Sequence, residues 1–179
     1  MAQEHIAALK KMALCRALSG AELEAIAAIV EMKEIAAGRE LFREDEPGDG
    51  LYLVATGEIE VVKRSPAGEH SLAKLGPGGV LGEMSLVTSD VRSATGRALA
   101  QTTVLHLPVR KFRSLQESGS TAALRITAAI AEVLARRLAT MNGMVLELTG
   151  GPGSSASGRS PLNTQDLREM HRAMQVWSF

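Results

Sequence analysis

Between Gly38 and Gly79 the chain never runs far without meeting glycine or proline. Gly38, Pro47, Gly48, Gly50, Gly57, Pro66, Gly68, Gly76, Pro77, Gly78 and Gly79 punctuate this stretch. A helix interrupted so often is too costly, because each interior glycine loses about 1 kcal/mol against alanine and each proline about 3 kcal/mol. What lies between the breaks is strand-like: Leu51-Tyr-Leu-Val54, Ile59-Glu-Val-Val62 and, further on, Val104-Leu-His-Leu107. Glu58, Ile59, Glu60 and Val61 alternate polar and apolar, the pattern of a strand half-buried on one face. Short strands with turns at this density predict a small roll or barrel over residues 33–107.

The flanks change character. Over residues 4–32 the period is helical: Ile6, Leu9, Met12 and Ala13 share a face, and Leu23, Ile26, Ala27 and Val30 form another. Ser19-Gly-Ala-Glu22 is a capping box, in which serine and glutamate satisfy each other's free amides at a helix start. Residues 108–148 return to helix: Pro108 suits a first turn, and Gly119-Ser120 divides a short helix from a long one. Along the long helix Ala131, Leu134, Leu138, Met141, Val145 and Leu148 make a heptad seam, while Ile126, Ile130 and Val133 form a second stripe available to the roll. Two stripes fit either two partners, the domain's own core and another subunit, or one broad buried face in a monomer. Gly150-Gly-Pro-Gly-Ser-Ser-Ala-Ser-Gly158 reads as flexible chain within a 150–163 linker. An amphipathic helix over 164–179 follows, with Leu167, Met170, Met174 and Trp177 on one face.

Composition narrows the partners. Lysine plus arginine (20) cancels aspartate plus glutamate (20), so no overall field attracts nucleic acid or an anionic membrane. Only 15 residues follow Thr164, which leaves no room for a recognition helix and its support. A single cysteine allows neither an internal disulfide nor a thiolate zinc cage, and Cys15 sits on an apolar helix as a core residue would. His5, His70, His106 and His171 are scattered without metal-ligand spacing and read as structural or surface. No apolar run approaches the roughly 18 residues of a membrane helix. The expectation is a cytoplasmic protein with no membrane span, no metal and no catalytic pair of acids.

One stretch carries chemistry: Leu81-Gly-Glu-Met-Ser-Leu-Val-Thr-Ser-Asp-Val-Arg-Ser-Ala-Thr95, immediately after a Gly76-Pro-Gly-Gly79 turn. Gly82 lets the backbone approach another group closely. A helical turn over Glu83–Val87 would present unpaired amides to an anion. Arg92 offers a planar, permanently charged fork suited to phosphate oxygens, and Ser93 adds a hydroxyl. Glu83 would be repelled by a phosphate unless it accepts hydrogen bonds from something else, for which a ribose hydroxyl is the natural candidate. Together these groups describe a nucleotide with a single negative charge.

Gly82-Glu83-x-x-Leu86, followed after five residues by Arg92-Ser93-Ala94, resembles the phosphate-binding cassette of the cyclic nucleotide-binding domain family, which includes the catabolite activator protein and kinase regulatory subunits. Gly48-Asp-x-Leu51-Tyr-Leu-Val-x-x-Gly57-Glu58 resembles the strand pair before that cassette, and Leu18-Ser-x-x-Glu22-Leu23 the N-terminal helix entry. The resemblance covers about residues 9–148. It implies an α+β fold, an antiparallel β-roll of double-stranded β-helix or jelly-roll type flanked by N-terminal helices and two C-terminal helices, with residues 1–149 as one domain and the cassette at 81–95.

The same resemblance puts the ribose-binding glutamate at Glu83, the phosphate-binding arginine at Arg92 and its small polar neighbour at Ser93. Gly82, Met84, Ser85, Leu86 and Ala94 complete the ligand-binding set, with backbone amides of Ser85, Leu86 or Ala94 as donors. Serine at 93, where threonine favours a guanine ligand, tilts the choice to cAMP over cGMP. The base is normally capped from the long helix, where Leu134, Arg136 and Arg137 are candidates alongside Trp177. Two departures stand out: Asp45 occupies a position where glycine is common, and Gly96 one where a branched apolar residue is usual, so the strand there is expected to be looser. The function implied is a cyclic nucleotide sensor that moves its C-terminal helices to signal to a protein effector, with a homodimer through helix 124–148 as one assembly. The alternative is the same fold serving as a ligand-free protein-interaction scaffold.

Overall fold

The structure, a computed structural model, describes residues 2–66, 68–88 and 91–149. The expected linker, the 164–179 helix and Trp177 lie outside the described residues, as do the side chains of Val145 and Leu148. The chain opens with α1 (Ala2–Leu9), a 3-10 turn (Ala13–Cys15) and α2 (Gly20–Ala27). Both halves of the capping box are formed: the Glu22 amide donates to Ser19 Oγ at 3.3 Å and the Ser19 amide to the Glu22 carboxylate at 2.7 Å. Then come β1 (Glu31–Ile35), β2 (Glu40–Phe42), β3 (Gly50–Thr56), β4 (Ile59–Ser65), β5 (Gly68–Leu75) and β6 (Val80–Leu81). A single turn, α3 (Met84–Val87), precedes β7 (Thr95–Ala98) and β8 (Thr102–Pro108), and α4 (Val109–Glu117) and α5 (Thr121–Thr149) close the described chain.

The eight strands form two antiparallel sheets of four, ordered β1-β8-β3-β6 and β2-β7-β4-β5. Side chains alternate across a strand, and β3 and β8 are covered on both faces, which is why residues 51–55 read as an apolar run and residues 104–107 as one broken only by His106. Leu51, Leu53, Leu105 and Leu107 face a core shared with the helices. Tyr52, Val54, Leu81 and Val104 face the interior of the roll, with Ile59, Ala73, Leu75 and Ala98 of the other sheet opposite. His106, two residues on from Val104, lies on that inner side, stacked on Tyr52. On β4 the expected alternation holds at Ile59 but shifts at a bulge between Val61 and Val62, so Val62 is buried and Val61 only partly so.

The helical core is built on Phe112 of α4, Leu23 and Ile26 of α2, and Ala122, Ala123, Ile126 and Ile130 of α5. The stripe of Ile126, Ile130 and Val133 belongs to it, in one core with the outward leucines of β3 and β8, while the backbone of α5 runs closest to the 3-10 turn, α2 and α4. Of the other stripe, Ala131, Leu138 and Met141 face solvent, the last two 59% and 50% exposed, and Leu124, one heptad before Ala131, is 70% exposed. Leu134 packs at the edge of the helical core. Cys15 is buried in this core, and burial pushes its thiol up to about 12.

Candidate functional site

Arg92 is the most unusual side chain in the roll, a guanidinium only 3% exposed. Its backbone is clamped to the loop before β3: its amide donates to the Glu46 carbonyl at 2.8 Å and its carbonyl accepts from the Asp45 amide at 2.9 Å. Asp45 itself takes a left-handed conformation with φ +66°, at the position where the resemblance led one to expect glycine. So anchored, the side chain turns into the roll. Nη1 donates to Ser85 Oγ at 3.0 Å and to the Gly82 carbonyl at 3.3 Å. Nη2 donates to Asp49 Oδ1 at 2.5 Å and to the Gly50 carbonyl at 2.8 Å.

Two rings complete the seat. The guanidinium carbon lies 4.3 Å from the Phe42 ring centre and 5.4 Å from that of Tyr52. A buried cation needs such compensation, since an unpaired charge in the interior costs several kcal/mol by rough estimate. Compensation is incomplete at one atom: Arg92 Nε is buried with no hydrogen-bond partner. The Tyr52 hydroxyl donates to both oxygens of Asp49, at 3.0 and 2.8 Å. Burial pushes the Asp49 carboxyl up, but the Tyr52 bond together with the charges of His106 and Arg92 outweighs it and holds the group below the ordinary carboxylate value.

Gly82 is where the cassette and the arginine touch. It has φ +73°, and a Cβ there would stand 2.1 Å from Arg92 Nη1 and 2.9 Å from the Gly50 carbonyl. The turn that follows buries Glu83, Ser85 and Leu86 and leaves Met84 exposed. The Ser85 and Leu86 amides, expected as donors to an anion, are spent inside the turn on the carbonyls of Gly82 and Glu83 at 3.2 and 3.0 Å. Ala94 is buried, whereas Ser93 is exposed and its carbonyl accepts from Lys63 Nζ at 2.7 Å.

Glu83 does not contact Arg92. Its carboxylate pairs with Arg137 of α5, whose second amino group donates to the Val80 carbonyl at 2.8 Å. Of the base-capping candidates, Arg137 thus reaches the cassette but is engaged with Glu83. Arg136 is exposed beside Glu132 at 3.7 Å, and Leu134 packs on the helical core. The structure brings Gly82, Glu83, Ser85 and Arg92 around one turn. Asp49, Phe42 and Tyr52 around Arg92 were not singled out from the sequence. Asp49 and Tyr52 both stood in the quoted Gly48-Asp-x-Leu51-Tyr motif, but with no role given to either.

This arrangement can hold an anion: a buried cation with an unspent donor beside glycine backbone, and a carboxylate one residue away that accepts hydrogen bonds. Among the described residues, no group of three or more His, Cys, Asp or Glu side chains could hold a metal, and no helix is long and apolar enough to cross a membrane. The family described as Cyclic nucleotide-binding domain matches residues 32–118. A cyclic nucleotide-binding-like protein of Brucella abortus is 31% identical, covering 64% of this chain and 98% of that one, with a TM-score of 0.55. The N-terminal domain of a Streptomyces coelicolor transcriptional regulator is also 31% identical, covering 84% and 99%, with a TM-score of 0.64. A CRP-like cAMP-activated global transcriptional regulator of Mycobacterium tuberculosis is 29% identical over 143 residues, and the match spans 62% of its length. With the roll, the cassette and these relatives in agreement, the chain belongs to the cyclic nucleotide-binding domain family.

Proposed function

We propose that this chain is a cyclic nucleotide sensor whose ligand is cAMP in preference to cGMP. The observation that carries the reading is the buried Arg92 guanidinium with its unpartnered Nε. A donor left orphaned at such depth is costly, and an entering phosphate oxygen removes that cost while neutralising the charge. Asp49, Gly50 and Ser85 hold the fork in place, so the ligand meets a cation already oriented. Glu83 accepts from the ribose hydroxyl. Gly82, Met84, Leu86, Ser93 and Ala94 frame the cyclic phosphate, and Ser93 rather than threonine favours the adenine ligand.

Signalling follows from Arg137. It ties α5 to the Glu83 carboxylate, so a ribose that binds Glu83 acts directly on the contact that positions the helix. Room for movement exists: a cavity of about 430 Å³ is lined by α5, the 3-10 turn, and Gly78 and Val80. Ligand binding thereby biases a two-state position of α4 and α5, and the exposed seam of Leu124, Leu138 and Met141 presents the result to a second copy or a protein effector in the cytoplasm. The ligand-free scaffold is the second reading. It is favoured by the fact that both terminal nitrogens of Arg92 and the carboxylate of Glu83 already have protein partners.

Calorimetry with cAMP and with cGMP separates the two. The sensor reading expects saturable binding, tighter for cAMP, and a weakening of about 2–5 kcal/mol on Arg92→Ala, the scale for truncating one partner of a buried charged contact. Absence of heat and of any thermal stabilisation with either nucleotide leaves the scaffold.

A further inference from the structure

We propose that His106 is a positioning residue behind Arg92 whose imidazolium form, held between Asp49 and Glu31, tightens the grip of the cassette on an anionic ligand, so that affinity rises as pH falls. The proposal rests on the reading of Arg92 as the phosphate-binding group.

Of the two roles open to His106 from the sequence, structural or surface, it takes the buried one. Its side chain is 5% exposed, and its ring is stacked on Tyr52 with centres 4.5 Å apart and planes 15° from parallel. Neither ring nitrogen has a hydrogen-bond partner. Yet each faces a carboxylate: Nε2 lies 3.5 Å from Asp49 Oδ2, and Nδ1 lies 3.6 Å from Glu31 Oε2. Strand register fixes this placement, since Glu31 and Tyr52 are the direct cross-strand neighbours of His106 on β1 and β3.

A neutral imidazole carries one N–H and one lone pair. Whichever tautomer forms, the remaining lone pair points at a carboxylate oxygen, which is repulsive. Only the doubly protonated ring satisfies both acids. Burial opposes that state most strongly, and Lys33 on β1 comes next, whereas Asp49 and Glu31 favour it, and the balance holds His106 below the ordinary imidazole value. The remaining charges nearby are Lys111 of α4, 2.7 Å from Glu31 Oε1, and Arg92 on the other oxygen of Asp49. Asp49 is therefore shared between two cations, one permanent and one titratable.

An anion arriving at the unpartnered Nε of Arg92 shares that guanidinium with Asp49 and leaves more of the Asp49 charge for His106. Ligand and proton then favour each other, and linkage makes the effect reciprocal: lower pH raises affinity, and ligand raises the His106 pKa. With two charges bridged by one carboxylate in a partly screened site, the expected gain is about three- to ten-fold in affinity between pH 8 and pH 5.5. A cyclic phosphodiester remains a monoanion throughout this range, so the slope belongs to the protein.

The test is calorimetric titration with cAMP from pH 8 to pH 5.5 on the wild type and on His106→Gln. The proposal expects the wild-type gain and a flat profile in the variant. In parallel, a triple variant carrying His5→Gln, His70→Gln and His171→Gln leaves His106 as the sole imidazole for proton NMR, and its pKa should rise on adding cAMP. That second arm decides the matter even if His106→Gln does not fold. Binding without pH dependence, the same slope in His106→Gln, or a histidine titration indifferent to cAMP each overturns this proposal and leaves the binding reading standing. No binding at any pH overturns the binding reading itself, and this proposal with it.

Discussion

Replacing Arg137 by alanine separates α5 from the cassette, and the structure sets the size of the effect. The Arg137 and Glu83 side chains are 15% and 6% exposed, so neither charge is well solvated. Removing one partner of a buried pair costs about 3–5 kcal/mol, because the other charge is left stranded. Here the cavity bordering Arg137 lets water reach the vacated space, and the loss falls to about 2–3 kcal/mol. For a domain of this size that corresponds to a fall of about 5–10 °C in Tm. Urea unfolding followed by circular dichroism measures it, with Glu83→Gln and the double variant completing a cycle. The double variant should recover about 1–2 kcal/mol relative to additivity, since it leaves no stranded charge. An Arg137→Ala protein within about 0.5 kcal/mol of wild type, with strictly additive effects, would refute the argument that this pair joins helix to roll.

Three further expectations follow from single residues. Gly82→Ala places a methyl 2.1 Å from Arg92 Nη1 on a backbone at φ +73°, so it should cost about 2 kcal/mol or more and weaken cAMP binding, read by urea unfolding and calorimetry. The Cys15 thiol, buried and pushed up to about 12, should react with a thiol reagent at pH 8 no faster than the protein opens; prompt stoichiometric labelling of folded protein contradicts its placement. Leu138→Glu, on a residue 59% exposed, should leave unfolding within about 0.5 kcal/mol of wild type yet reduce self-association in sedimentation equilibrium if the seam joins two copies. A wild type that sediments as a monomer at high concentration removes the homodimer.

The fold was legible wherever burial left a pattern in neighbouring residues. Strands β3 and β8 announce themselves because both faces are covered, and α2 because Ser19 and Glu22 cap it locally. Strand β5 was silent for the opposite reason. It is an edge strand whose Gly68–Leu75 side chains are mostly solvated, with only Ala73 and Leu75 buried, so its residues obey no packing constraint that a sequence displays. Strands β2 and β6 are too short to show any period. Helix α5 shows the limit of periodicity: the spacing identified two stripes, but which surface each would meet depended on where α2 and the 3-10 turn folded back.

The candidate site divides along the same line. Gly82, Glu83, Ser85 and Arg92 lie close in the chain, and their types and spacing were readable. Their partners come from afar: Asp49 is 43 residues before Arg92, and Arg137 is 54 residues after Glu83. Gly96 makes the point most sharply. Taken alone, a glycine there implied a loose strand, and β7, paired with β4 on one side, meets β2 on the other at a register shift beside the Phe42–Gly96 pair. The missing side chain is replaced by the Phe42 ring, whose nearest atom would stand 3.2 Å from a Cβ at Gly96. That ring is the one on which the Arg92 guanidinium rests. A departure that looked like a weakness in one strand is thus half of a complementary pair, and its other half supports the cation from which the binding chemistry is argued. Such pairs lie beyond periodicity and local spacing, because the glycine reads only as a missing side chain until the fold sets Phe42 against it.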